Sequence, residues 1–162
     1  MFEKIAVVRH GLATLNGPQG GKLSDEGKDQ ARLLAPELST FFGYSITQTI
    51  LVSSLASRAW EFSQILTSFL KVKQIIQDEM IGDSHGFVDK VEIVLPQLQR
   101  YLAYPYLIFI SHESFTSDVM EHLGADPNRL NKKQGWRTMF YQLQPGQAFA
   151  FHKQSGDVFL YP

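Results

Sequence analysis

Ile5-Ala6-Val7-Val8-Arg9-His10-Gly11 decides how this chain is read: four apolar residues run straight into an arginine, a histidine and a glycine. A short β-branched run flanked by charges has the pattern of a strand buried on both faces, the kind found in parallel sheets. Parallel strands need crossover connections, so a helix should follow. Ser24 is placed to cap one, with Asp25 and Glu26 in the first turn, where the helix dipole favours anions. Ala31, Leu34, Leu38 and Phe41 then recur at helical spacing. Pro36 falls inside that pattern and is expected to kink the helix or end it early.

The alternation continues along the chain. Thr49–Val52 reads as a second strand, and Ala56–Leu70 as a helix carrying Ala59, Phe62, Leu66 and Phe69 on one face. Lys73–Gln77 is a short strand, Val88–Leu102 a helix interrupted by Pro96, Tyr106–Ile110 a buried strand, and Phe115–Leu123 a helix that Gly124 ends. From Thr138 the pattern changes to short strands, Met139–Leu143, Ala148–His152 and Asp157–Tyr161, divided by Pro145-Gly146 and Ser155-Gly156 turns. The expected fold is one α/β domain over residues 1–162. It has three layers, α/β/α, around a mainly parallel sheet, with an antiparallel C-terminal meander at the edge.

Composition narrows the chemistry. The 162 residues include no cysteine and five histidines, and 15 basic residues against 16 acidic ones give a net charge of −1. A chain of this length buries roughly 70% of its unfolded surface, enough for a core without metal or disulfide staples. The near-neutral balance argues against a general nucleic-acid binder, which needs a basic surface to displace counterions. Without cysteine there are no disulfides, thiolate nucleophiles or Cys-type zinc sites. The apolar runs fall far short of the ~20 residues of a spanning helix, and charge interrupts the N-terminus before a signal segment forms. A cytoplasmic protein with no membrane partner is expected, its chemistry resting on His, Arg, carboxylates or hydroxyls.

Ligands of parallel sheets bind outside the carboxyl ends of the strands. The first strand ends in Arg9-His10-Gly11, the second in Ser53-Ser54 with Arg58 one helical turn on, and the fourth in Ser111-His112. A shared rim brings two histidines and two arginines together. A neutral imidazole keeps a lone pair that can attack phosphorus. Arginine forks neutralise the equatorial oxygens, where transition-state charge gathers. Gly11 is expected to let the backbone approach a phosphate closely. Singly, each signal is ordinary, since a histidine after a strand is usually structural and a serine pair before a helix is usually a cap. Their joint placement at three strand ends carries the argument.

These residues resemble the signature of the histidine phosphatase (phosphoglycerate mutase-like) superfamily. Arg9-His10-Gly11 and Asn16 fall where the family has R-H-G-E-T-x-x-N. Leu23-Ser24-x-x-Gly27-x-x-Gln30-Ala31 is similar to L-T-x-x-G-x-x-Q-A, Ser53-Ser54-Leu55-Ala56-Ser57-Arg58-Ala59 to S-S-P-L-x-R-A, and Ser111-His112 to the late S-H or G-H. The resemblance implies that His10 is the phosphorylated nucleophile, that Arg9, Arg58 and His112 complete the phosphate pocket, and that Asn16 adds a contact. It implies no cofactor. Glu79-Met80-Ile81-Gly82-Asp83 is similar to the family's E-x-x-x-G-D segment with one residue missing, which makes Glu79 the candidate proton donor; Asp83 and His85 stand beside it as alternatives.

The chain also departs from the pattern. Leu12 replaces the acid after R-H-G, Leu55 replaces proline, and Ser84-His85 stands where many members have Trp-Glu. Glu113 directly follows His112, where a carboxylate would repel phosphate unless turned away, or would raise the histidine's pKa. His122 and His152 are expected to be structural or exposed, and no histidine spacing such as H-E-x-x-H implies a metal. The overall length resembles the short SixA-like phosphohistidine phosphatases. Residues 59–111 offer little material for a lid over a small substrate, which suggests phosphohistidine on a protein. Asn16 and the Glu79 segment favour a small phosphate monoester instead. A catalytically inactive phosphate-binding module is the reading from another class.

Overall fold

The computed structural model describes residues 2–14, 21–82, 98–113, 115–116, 119, 123 and 143–162. In chain order these form β1 (Lys4–Arg9), α1 (Asp25–Phe42), β2 (Ile50–Ser53), α2 (Ser57–Phe69), β3 (Gln74–Gln77), β4 (Tyr106–Ser111), β5 (Ala148–His152) and β6 (Asp157–Tyr161). Short 3-10 turns, Gly43–Gln48 and Glu79–Ile81, follow α1 and β3.

The strands make one sheet in the order β3-β2-β4-β1-β5-β6. β1 to β4 are mutually parallel, while β5 and β6 run antiparallel at one edge. The expected meander therefore stands where the sequence placed it, although residues 139–142 of its first strand lie outside the described residues. Connection handedness explains the layers. The steps β1 to β2 and β2 to β3 move outward in one direction, so right-handed crossovers put α1 and α2 on the same face. The step from β3 back to β4 reverses direction and must cover the other face.

The two cores agree with that geometry. Alternate residues Ala6, Val8, Leu51, Ile108, Ile110, Ala148 and Ala150 pack against α1 and α2. The intervening residues, among them Val7, Val52, Phe109 and Phe149, pack against Ile81, Leu98, Tyr101, Phe115 and Leu143. β4, central and buried from its second residue onward, has the continuous apolar sequence that two covered faces require. Of the expected helix Val88–Leu102, the described part closes a helical turn from Leu98 to Leu102. At the next expected helix, Thr116 N–H donates to the His112 carbonyl and Leu123 N–H to that of Val119.

Pro36 does not end α1 early: the helix runs through it to Phe42 and is terminated by Gly43 at φ 57°. Pro36 lies on the solvent side, so its missing hydrogen bond falls away from the buried Leu34, Ala35 and Leu38 that hold the helix to the sheet. Phe69 leaves the α2 core face and is 59% exposed, because the helix ends there and Leu70 turns inward instead.

Candidate active site

Parallel strands carry their carboxyl ends to one rim, and sheet hydrogen bonds continue one residue beyond each strand there. His10 N–H donates to the Ser111 carbonyl, Ser54 N–H to that of Ile110, and Asp78 N–H to that of Ser53. His10, Ser54, Asp78 and His112 are thus set side by side by the backbone before any side chain is considered. All four are buried.

The side chains then converge. His10 Nε2 lies 3.1 Å from His112 Nδ1, with the rings edge to face at a centroid distance of 4.8 Å. Arg58, from the first turn of α2, donates Nε–H to His10 Nε2 at 2.8 Å and reaches His112 Nδ1 with a terminal nitrogen at 3.1 Å. Arginine has only donors, so both of those ring nitrogens present lone pairs to it. The opposite nitrogens carry the protons: His10 Nδ1–H donates to the Gly11 carbonyl at 2.7 Å, and His112 Nε2–H to Ser54 Oγ at 3.2 Å. These partners assign the tautomers.

Burial, reinforced by the positive fields of Arg58 and Arg9 and only partly offset by the bond to the Gly11 carbonyl, pushes the His10 pKa down from 6.5 to about 3. The imidazole is therefore neutral at physiological pH, with its Nε2 lone pair facing the arginine. Arg9 donates to the Leu143 carbonyl at 2.7 Å and pairs with Glu113 Oε2 at 2.8 Å. Glu113 is thus turned towards Arg9.

The loop after His10 is stapled to the start of α1. Ser24 caps the helix by accepting from Gly27 N–H at 3.0 Å, and its hydroxyl donates to the Leu12 carbonyl at 2.9 Å. Gln30 Oε1 accepts from Leu12 N–H at 2.9 Å. A Cβ on Gly11 would lie 2.7 Å from the Gly27 carbonyl oxygen, and one on Gly27 only 2.2 Å from that of Leu12. Close packing of loop against helix is thus the visible requirement at Gly11.

Of the sequence-derived set, the structure brings His10, His112 and Arg58 into direct contact and places Arg9 beside them at the same rim. Glu79 also stands at this rim, in the turn after β3, which Ser111 Oγ ties down by donating to the Ile81 carbonyl. Its side chain is exposed and bonds to none of the other described residues. Asn16, Asp83, His85 and His122 lie outside the described residues. His152 sits at the opposite end of the sheet, level with Lys4. Ser54, at a strand end and expected as an ordinary cap, instead partners His112 while Ala56 takes the N-cap position. Asp78, which no motif singles out, accepts from Tyr101 Oη at 2.6 Å and from Arg100.

A four-stranded parallel sheet with an antiparallel edge, and paired histidines at its carboxyl rim, has the fold of the phosphoglycerate mutase-like histidine phosphatases. Among solved structures, the chain is similar to a candidate SixA phosphohistidine phosphatase from Agrobacterium tumefaciens, with a TM-score of 0.68 at 14% identity over 95% of this chain and 94% of that one. It is also similar to the protein histidine phosphatase SixA complexed with tungstate (TM-score 0.62, 16% identity, 98% and 94% covered). A third is the mycobacterial glucosyl-3-phosphoglycerate phosphatase bound to VO3 (TM-score 0.64, 13% identity, 98% and 96% covered). No family model and no curated protein sequence matches the chain. No helix among the described residues is long and apolar enough to cross a membrane.

Proposed function

We propose that the protein is a phosphatase that works through a phosphohistidine at His10, without a cofactor. The observation that carries this is the lone pair of a neutral, buried His10 Nε2 held among Arg58 and His112. In the first step Nε2 attacks phosphorus. A P–N bond forms as the bond to the leaving atom breaks, and that atom takes a proton from Glu79. In the second, water attacks the phosphorus and gives its proton to the Glu79 carboxylate. The P–N bond breaks and inorganic phosphate leaves. Arg9, Arg58 and His112 hold the equatorial oxygens, with Asn16 as a further contact, and Asp83 or His85 stands in as donor if Glu79 does not serve.

Phosphohistidine on a protein is the first substrate. The likeness to two SixA structures supports it. A small phosphate monoester is the second, supported by the likeness to a phosphatase of glucosyl-3-phosphoglycerate. The test is acid-quenched mass spectrometry during hydrolysis of p-nitrophenyl phosphate, a phosphohistidine protein and a panel of sugar phosphates. Phosphate on His10, and loss of turnover in His10→Ala, are expected. Oxyanion binding without turnover would establish the inactive binding module instead, and a strong preference for one metabolite would replace the protein substrate.

A further inference from the structure

We propose that Gln30 is a positioning residue that fixes the tautomer of His10. The two residues do not touch. They hold opposite edges of a single peptide unit. His10 Nδ1–H donates to the Gly11 carbonyl at 2.7 Å, and the N–H of the same planar amide, on Leu12, donates to Gln30 Oε1 at 2.9 Å. Fixing one edge of a rigid plane fixes the other, so Gln30 decides where the acceptor for the imidazole proton stands. The two bonds also reinforce each other, because an acceptor on the N–H edge pushes electron density onto the carbonyl oxygen.

Gln30 is itself confined. A Cβ on Gly146 would lie 2.6 Å from Gln30 Cβ and 2.8 Å from its Cδ, and a Cβ on Gly11 would lie 2.9 Å from its Oε1. Gly146, at φ 82°, also donates its N–H towards the Arg9 and His10 carbonyls, at 3.1 Å each. The backbone that walls in the amide is therefore bonded to the strand end that carries the histidine. With the peptide plane released, the proton is free to move to Nε2. There it faces the Nε–H of Arg58 and removes the lone pair that the phosphatase reading requires.

This inference rests on that reading for its catalytic meaning, and its spectroscopic signature is independent of turnover. The experiment records long-range 1H–15N imidazole spectra of the wild type and of Gln30→Met, Gln30→Asn and Gln30→Glu at pH 7.5, alongside hydrolysis of p-nitrophenyl phosphate. The wild type should show His10 protonated at Nδ1 alone. Met offers no comparable acceptor and Asn falls one methylene short, so both should give a tautomer mixture. A clamp worth one ordinary hydrogen bond corresponds to a kcat about tenfold lower, with KM changed less than about twofold. Glu, whose carboxylate accepts from Leu12, should restore the Nδ1–H signal. An unchanged Nδ1–H signal in whichever of the Met and Asn variants folds overturns the proposal. A shifted tautomer in a protein with no turnover overturns the phosphatase reading and leaves this one standing.

Discussion

The guanidinium of Arg9 stands 2.8 Å from the carboxylate of Glu113, and so the residue following the second histidine occupies a cation that the proposed function assigns to phosphate. The pair is partly solvated, with side-chain exposures of 23% and 43%. Such a contact is worth at most about 1 kcal/mol. Glu113→Gln should therefore tighten inhibition by inorganic phosphate or vanadate, by roughly fivefold. Calorimetric titration measures this directly, and unchanged or weaker binding would show that Arg9 is not competed for.

The depressed pKa of His10 makes a prediction about acid. The unfolded chain takes up a proton near pH 6.5, while the folded chain resists until about pH 3. Stability should fall as pH drops through that window, and little of the loss should occur above it. Between pH 7.5 and 4.5 the loss assignable to this group is on the order of 2–3 kcal/mol. Urea midpoints of the wild type and His10→Gln at both pH values provide the check. The variant should lose less stability, and equal losses would mean that His10 is protonated in the folded protein.

Two glycines separate steric from conformational demands. Gly11→Ala puts a methyl group 2.7 Å from the backbone of Gly27 and should cost about 3 kcal/mol. Gly43→Ala meets nothing within 4 Å but must hold φ 57° and ψ −136°, a conformation that costs about 2 kcal/mol for a residue with a Cβ. Denaturant unfolding of both should rank them in that order. The reverse order would contradict the close approach of loop and helix.

Asp78 is the carboxylate under the Glu79 turn. Burial works against its ionisation, but the bonds from Tyr101 Oη, Met80 N–H and Arg100 outweigh it and hold the pKa below the ordinary 3.8. Its contribution is therefore present above that value and disappears on acidification below it. Asp78→Ala strands a buried tyrosine hydroxyl and a backbone N–H, and should lower stability by about 2–3 kcal/mol at pH 7. Thermal unfolding at pH 7 and pH 3 would show the deficit shrinking with acid; a deficit independent of pH would point to lost packing instead.

What the sequence reveals here depends on whether a signal is local. Ile5–Val8 and Tyr106–Ile110 lie within observed strands because their apolar continuity is a property of the strand itself. Arg9, His10, Arg58 and His112 could be placed on one rim because parallel strands share a direction. Pro36 does not end α1 early, because its cost depends on which side of α1 meets the sheet. The close approach of Gly11 to the backbone of Gly27 is likewise invisible in pattern alone, since only the fold brings the two segments together. Tyr101 packs in the core, but its hydroxyl partner Asp78 becomes visible only once β3 is laid beside β2.

The turn before β5 closes over the end of β1: Gly146 and Gln147 bond to the backbone of Arg9 and His10, and Leu143 accepts from the Arg9 guanidinium. The pocket is thus finished by a segment that leaves the ribosome long after the histidine it completes. Such distant closure is slow to form, and no N-terminal fragment contains it. Oxyanion affinity in this protein would then report that the turn before β5 has been both made and docked, a readout that no single helix or hairpin of the fold supplies.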